Sequence, residues 1–371
     1  MLKRLNIIFL LMCFFVFTLC EIDAGAIDVS ANSAILVEAS SKTILYAKNE
    51  DVRRPMASTT KIMTAYIALM KGRLNDVVTC SPKAVRVEGS SMYLKAGEKV
   101  TLEELLYGLM LSSGNDAANV IAEHISGSIE EFVALMNKTA KEMGLYNTSF
   151  ETPSGLDGEN HYTTARDFAL LTIEALKNED FAKIVKTKSI TFNKENGSRT
   201  LVNHNRLLRS YEYAVGVKTG FTKKAGRCLV SAAEKDGVTL VAVTLDASND
   251  WRDHKNMLDF GFSKTKNIKL TDESDVYNLR VVSSDVKSVN VSPKRDKTAV
   301  IFDNDNPQIK KIVELPRFAY APIAAGEKVG AIRYYINGKE LDSVDLVATQ
   351  SAPLNVEAEK GFFERLFGWL K

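Results

Sequence analysis

Residues 55–72 read PMASTTKIMTAYIALMKG and place a serine and a lysine three residues apart at the opening of an apolar helical pattern. The pattern stops at Gly72, so a buried helix is predicted to begin near Ser58. The interval of three puts Ser58 and Lys61 on one face of that helix. A serine hydroxyl is a weak nucleophile until a base takes its proton, and a lysine can be that base when burial and nearby cations lower its pKa. The segment predicts such a pair, with a helix-capping Ser58 and a solvated Lys61 as the alternative.

Other kinds of chemistry find little support in the sequence. Ser-x-x-Lys recurs at residues 263–266 and 284–287, but neither copy opens an apolar helix. No Gly-x-Ser-x-Gly turn and no phosphate-binding glycine loop occur. The histidines have no partners at the spacing of metal ligands, which disfavours a zinc site. They are His124, His161, His204 and His254.

Strand patterns bracket helical patterns over residues 27–270. Two β-favouring runs at residues 33–38 and 43–47 predict an opening hairpin. Helices are predicted over residues 101–110, 115–125, 130–143 and 164–176, strands over 213–217, 227–233 and 238–245, and a closing helix over 252–262. This order predicts an α+β unit, in which an antiparallel sheet carries a helical insert.

The C-terminal third changes pattern. Short alternating strands separated by turn residues predict a small all-β domain over residues 271–350. In the tail, residues 351–371, five apolar side chains fall on one helical face: Phe362, Phe363, Leu366, Phe367 and Leu370. A terminal amphipathic helix of this kind is typical of an interfacial membrane anchor. The alternative is a helix docked on the β domain.

The N-terminus and the composition indicate an exported protein. Residues 1–26 combine a basic start, an apolar run and a small-residue end, which is typical of a cleaved secretory signal peptide, with a retained anchor as the alternative. A net charge of +2 over 371 residues excludes a nucleic-acid footprint. Cys80 and Cys228 would be the cysteine pair of the mature chain, and two buried thiols are favoured over one disulfide.

Two further motifs change the weight of the Ser58 prediction. Ser113-Gly114-Asn115 lies between two helical patterns, 55 residues after Ser58, and Lys218-Thr219-Gly220 ends a predicted strand 105 residues later. Ser-x-x-Lys, Ser-x-Asn and Lys-Thr-Gly in this order are the signature of the penicillin-recognising serine enzymes. The chain resembles the serine-type D-alanyl-D-alanine carboxypeptidases of the low-molecular-mass penicillin-binding proteins, over nearly its whole length.

This resemblance implies a penicillin-binding/β-lactamase-like catalytic domain and a role for each motif residue. Ser58 is the nucleophile, Lys61 its base, and Ser113 relays a proton to the leaving amine. The Asn115 amide holds the substrate backbone, while Lys218 and Thr219 bind its terminal carboxylate. The remaining implied groups are Gly220, which lets the substrate lie along the strand edge, and the N–H groups of Ser58 and Phe221, which form the oxyanion hole.

The implied partners are a peptidoglycan stem peptide ending in D-Ala-D-Ala, β-lactams as covalent inhibitors, and the membrane surface. The implied location is the outer face of the cytoplasmic membrane or the cell wall, and no metal or organic cofactor is required. A D,D-endopeptidase or weak β-lactamase on the same fold, and a non-catalytic peptide-binding protein, remain alternatives. Arg252 aligns only loosely with a family arginine, and Asp157 and Arg166 are interpreted as residues that fix the site wall.

Overall fold

The computed structural model describes residues 27–194, 197–272, 274–302 and 307–355. The predicted signal peptide and the predicted tail helix lie outside these ranges. Within them, no helix is both long enough and apolar enough to cross a membrane.

A five-stranded antiparallel sheet forms the centre of the first unit. The strands of this unit are β1 (Ser33–Glu38), β2 (Ile44–Lys48), β3 (Val77–Thr79), β4 (Lys99–Thr101), β5 (Ser189–Lys194), β6 (Gly197–Val202), β7 (Ala214–Thr222), β8 (Gly226–Lys235) and β9 (Val238–Ala247). The sheet has the order β2-β1-β9-β8-β7, and the predicted opening hairpin is confirmed as the β1–β2 pair. Strand β7 lies at one end, so no strand of the described residues pairs with its outer edge.

The helices cover both faces of this sheet. They are α1 (Lys61–Lys71), α2 (Leu102–Leu111), α3 (Asn115–Ser126), α4 (Ile129–Glu142), α5 (Ala165–Leu176), α6 (Glu179–Lys186), α7 (Leu207–Ser210) and α8 (Asp250–Lys264). Successive side chains of a strand point to opposite faces of the sheet and so enter different cores. Ile35 and Val243 belong to the core under the helical insert, while Leu36 and Ala242 pack with α8 on the other face. The predicted α+β arrangement is confirmed.

Side-chain caps explain where several helices start. The side chains of Thr101, Ser128, Thr164 and Asn178 each accept a hydrogen bond from the backbone N–H three residues on. Such a bond satisfies a donor that a helix start otherwise leaves unpaired. The caps Thr101 and Thr164 therefore start the helices that the sequence predicts over residues 101–110 and 164–176.

The register of β7 against β8 decides which side chains face α1. Lys218 and Gly220 lie opposite Val230 and Cys228, while Thr219 and Phe221 lie opposite Leu229 and Arg227. Directly opposed residues share a face of the sheet. A Cβ at Gly220 would lie 3.1 Å from the Ser58 nitrogen, so the Lys218 face looks toward α1. Thr219, Phe221 and Arg227 occupy the other face.

The strand predicted over residues 213–217, with the Lys218-Thr219-Gly220 motif at its end, is too short. Strand β7 continues through the motif to Thr222. A lysine and a glycine interrupt the apolar alternation, but pairing with β8 holds the backbone extended through both.

The second unit is all-β, as predicted. Its strands are β10 (Thr265–Lys269), β11 (Tyr277–Val282), β12 (Ser288–Pro293), β13 (Thr298–Phe302), β14 (Ile309–Glu314), β15 (Phe318–Tyr320), β16 (Lys328–Ile336) and β17 (Lys339–Ala348). Six of them form a sheet of order β14-β16-β17-β12-β11-β15, and β10 pairs with β13. Leu279, Val289, Ile332 and Leu346 are buried at the centre of its core.

Candidate active site

Ser58 lies in a short 3₁₀ turn, Ala57–Thr60, directly before α1. Hydroxyl groups hold the turn: Thr59 Oγ1 donates to Met56 O at 2.6 Å and Thr60 Oγ1 donates to Ala57 O at 2.8 Å. Gly155 packs against it so closely that a Cβ there would lie 2.0 Å from Ala57 O. The run of small and hydroxyl residues therefore fixes the position of the Ser58 backbone.

Lys61 is fully buried, and its Nζ has three acceptors around it. It donates to Ser58 Oγ at 2.9 Å, to Asn115 Oδ1 at 2.7 Å and to Ser154 O at 2.5 Å. Burial lowers the pKa of Lys61 well below its usual value, the charge of Lys218 lowers this pKa further, and Asp116 opposes them. A neutral amine has two N–H donors and one lone pair. In its neutral form Lys61 can donate its two hydrogens to Asn115 Oδ1 and Ser154 O, which leaves the lone pair to accept the proton of the Ser58 hydroxyl, as a general base requires.

The second motif is tied to a loop on the opposite side of the site. Asn115 N donates to Ser90 O at 2.7 Å, and Asn115 Nδ2 donates to Glu88 O at 2.7 Å. Asn115 Oδ1 binds Lys61, so both polar atoms of the amide are held within the protein, and Asn115 is only 4% exposed. Asp116 accepts from Met92 N and Leu94 N, both at 3.0 Å, and so anchors the same loop.

Within the third motif, Lys218 is buried in the interior, whereas Thr219 and Gly220 line the cavity. Lys218 is only 1% exposed, and its Nζ donates to its own neighbour, Thr219 O, at 2.9 Å. Burial lowers the pKa of Lys218 to about 7. Thr219, Gly220 and Phe221 border the cavity above Ser58, and Lys218 is not among the described residues that line it.

A cavity of about 350 Å³ joins the three motifs. Of the residues predicted from the sequence, it is lined by Ser58, Ser113, Thr219, Gly220 and Phe221. The structure thus brings the three separate segments to one groove along the free edge of β7. The sequence did not identify the other lining residues, which are Ser90, His204, Arg206, Arg227, Asp250 and Trp251.

Arg227 is the most firmly held cation of this groove. Its Nε donates to Asp250 Oδ1 at 2.9 Å and its Nη2 to Asp250 Oδ2 at 3.1 Å, and the guanidinium lies 5.9 Å from the centre of the Trp251 ring. The Asp250 side chain is buried, whereas 43% of the Arg227 side chain is exposed. In the sequence, Arg227 has no feature that distinguishes it from other strand residues. Only its pairing opposite Phe221 could have indicated that it lines the groove.

Three residues that were not predicted to be catalytic make contacts outside the cavity. Arg252 Nη2 pairs with Asp28 Oδ2 at 3.2 Å on the surface. Asp157 Oδ1 accepts from Thr222 Oγ1 at 2.9 Å and fixes the end of β7. Arg166 binds Glu50 and Asp51.

Cys80 and Cys228 are both buried thiols, as the sequence favoured over a disulfide. In the part of the chain that the structure describes, no His, Cys, Asp or Glu side chains cluster to hold a metal ion.

Known families match both units of the chain. The family described as D-alanyl-D-alanine carboxypeptidase matches residues 21–249, and the one described as penicillin-binding protein 5, C-terminal domain, matches residues 265–353. D-alanyl-D-alanine carboxypeptidase DacF of Bacillus subtilis is 36% identical, covering 86% of this chain and 85% of its own length. DacC of Escherichia coli is 35% identical, covering 92% and 88%.

Solved structures are similar over most of the chain. Penicillin-binding protein 5 from Haemophilus influenzae aligns with a TM-score of 0.64 at 32% identity, covering 88% of this chain and 98% of that one. The Streptomyces K15 DD-transpeptidase aligns with a TM-score of 0.61 at 35% identity, covering 64% and 98%.

Proposed function

The chain belongs to the D-alanyl-D-alanine carboxypeptidase family, and from this premise we propose that it removes the terminal D-alanine of peptidoglycan stem pentapeptides through an acyl-enzyme on Ser58. The observation that carries this proposal is the buried Lys61 Nζ, 2.9 Å from Ser58 Oγ. A non-catalytic binding protein would not need a desolvated lysine aimed at a hydroxyl.

Acylation begins when neutral Lys61 takes the proton of Ser58 and Oγ attacks the D-Ala-D-Ala carbonyl carbon. The N–H groups of Ser58 and Phe221 stabilise the oxyanion. When the tetrahedral intermediate collapses, the C–N bond breaks, and Ser113 passes the proton from Lys61 to the leaving D-alanine nitrogen. Water then attacks the ester, gives its proton to Lys61 and releases the shortened peptide as Ser58 recovers its hydrogen.

The substrate lies as an added strand along the outer edge of β7. Gly220 lets β7 pack directly on the Ser58 turn, since a Cβ there would lie only 3.1 Å from Ser58 N, and this packing brings the strand edge close to the nucleophile. The second Nδ2 hydrogen of Asn115, which is not bound to Glu88 O, donates to the substrate backbone.

The terminal carboxylate binds Thr219 and Arg227. Burial of Lys218 and its bond to Thr219 O support a different role for that lysine, as the charge that helps to keep Lys61 neutral. Arg227 lies on the same face of the sheet as Thr219, and its guanidinium is held by Asp250 in one orientation. A fixed guanidinium is well suited to a planar carboxylate. The acid group of a β-lactam takes the same place.

Release of D-alanine from a purified mature chain tests the activity. We expect turnover of a pentapeptide ending in D-Ala-D-Ala, and a fall to background in Ser58→Ala. A cross-linked dimer and a penicillin, assayed beside it, separate carboxypeptidase from endopeptidase and β-lactamase preference. Covalent penicillin labelling without any D-alanine release would instead favour a binding protein.

Export and surface attachment complete the proposed function. Residues 1–26 act as a cleaved signal peptide, and the tail beyond Asn355 anchors the enzyme at the outer face of the cytoplasmic membrane. The apolar face read from the tail sequence supports this.

A further inference from the structure

Two exposed aromatic rings lie together at one edge of the β domain. Strand β15 ends the six-stranded sheet, and its residues Phe318 and Tyr320 are 46% and 70% exposed. Their ring centres are 5.5 Å apart in an edge-to-face contact. Because residues two apart in a strand point to the same side, the two rings form one apolar surface. Single exposed apolar residues are common on proteins, but a contacting aromatic pair on an edge strand is a candidate binding surface.

Cations and amides surround this pair. Arg280 of β11 lies opposite Phe318 in the parallel register and shares its face, and Arg317 immediately precedes the strand; both are exposed. The same face continues over β11 and β12 with Asn278 and Asn290. Over these positions of β11, β12 and β15 the exposed side chains are aromatic, amide or guanidinium.

Asn355, the last described residue of the β domain, lies beside this surface. Asn355 N donates to Ser283 O at 2.8 Å, and Ser283 follows Val282, the register partner of Tyr320. The segment 356–371, proposed above as the membrane anchor, therefore starts next to the two rings. An anchor attached here brings the edge of β15 close to whatever surface the anchor binds.

We propose that Phe318, Tyr320, Arg280 and Arg317, the aromatic edge, form a second membrane contact that lies among anionic phospholipid headgroups. Aromatic side chains favour the interface between headgroups and acyl chains, and guanidinium groups bind lipid phosphates. The contact rests on the proposed location of the enzyme at the outer face of the membrane. It gives the β domain a fixed orientation at the membrane, which attachment at a single point does not supply.

The test places fluorophores at two separate points of the mature full-length chain. Asn278→Cys reports on the aromatic edge and Lys371→Cys on the tail, and the two native cysteines are buried, which favours selective labelling. Each labelled protein is mixed with vesicles of phosphatidylcholine and phosphatidylglycerol that carry a lipid-bound quencher. We expect quenching at both positions.

Substitution of the rings distinguishes the two contacts. Phe318→Ser with Tyr320→Ser is expected to remove quenching at position 278 and to weaken vesicle binding about tenfold, while quenching at 371 and D-alanine release from a soluble peptide stay unchanged. Arg280→Gln with Arg317→Gln is expected to remove the preference for phosphatidylglycerol. The matched control is Val77→Ser with Tyr146→Ser, an apolar and an aromatic residue that are 65% and 77% exposed on the catalytic domain and should have no effect.

Each result decides one proposal separately. Quenching at 371 but not at 278 overturns the aromatic edge and keeps the anchor, and quenching at 278 alone overturns the anchor and keeps the edge. Quenching at neither position overturns both. A fluorescence shift at 278 without vesicles, lost on deletion of residues 356–371, means that the tail itself covers the rings, and this also overturns the proposal.

Discussion

At the scale of single residues, burial and hydrogen bonding decide what each motif side chain can do. Ser58 and Lys61 were predictable, because a spacing of three and an apolar helix depend on local sequence alone. The burial of Lys218 and the position of Arg227 were not. Both depend on the register of β7 against β8, which no local pattern specifies.

The acid limb of the pH profile reports on Lys61. With Lys61 as the proposed base, only its neutral form accepts the Ser58 proton, so we expect acylation to be lost as the pH falls below the pKa of Lys61 in the folded protein. Burial lowers that pKa well below 10.5. We expect kcat/KM for D-alanine release to reach its plateau well below pH 10.5; a rate that still rises steeply around that value would show a normal lysine.

Arg227→Gln tests recognition of the terminal carboxylate. Loss of a charged hydrogen bond is expected to lower kcat/KM for an acid-terminated pentapeptide by about 10- to 100-fold. The same peptide with an amide terminus should change little, so the ratio of the two substrates falls. Arg252→Gln is the matched control, since Arg252 pairs with Asp28 instead. An equal loss on both substrates would mean that Arg227 acts only on the fold.

At the scale of elements, predictions succeeded where a helix had a cap or an apolar stripe. Thr101 and Thr164 marked helix starts that the structure reproduces within one residue. The β5–β6 hairpin was missed although β5 alternates: Ile190 and Phe192 pack against the core of the first unit, while the polar residues between them are exposed. The short edge strand β15 was missed because its three residues are too few to show a period.

The close packing of β7 on the Ser58 turn gives an element-scale prediction. A Cβ at residue 220 would lie 3.1 Å from both Ser58 N and Thr59 N and 3.2 Å from Ala57 Cβ. Gly220→Ala is therefore expected to push the strand away and to slow penicillin acylation at least tenfold. Thermal unfolding, followed in parallel, should show a cost of only about 0.5–3 kcal/mol. Acylation at the normal rate would mean that the strand and the turn adjust freely.

At the scale of the whole molecule, composition and pattern were sufficient for an α+β unit followed by an all-β unit. The groove could not be predicted from pattern alone, because it joins residues of the Ser58 turn, the α2–α3 link and β7 that are far apart in sequence. Tertiary packing brings them together, and the three motifs identify the groove only through the family likeness.

Deletion of residues 356–371 tests the proposed anchor. The truncated enzyme is expected to appear in the soluble fraction of cells and to hydrolyse a soluble pentapeptide at the normal rate, since the residues that line the groove all belong to the first unit. Cell fractionation and D-alanine release measure the two effects. Loss of activity with unchanged membrane association would contradict this division of roles.

The most direct measurement is mass spectrometry of the mature protein after exposure to a penicillin, followed by peptide mapping. A nucleophilic Ser58 activated by Lys61 predicts one added penicilloyl group, found on the peptide that contains Ser58 and absent in Ser58→Ala. An adduct on any other residue, or labelling that persists in Ser58→Ala, would contradict the assignment of the nucleophile.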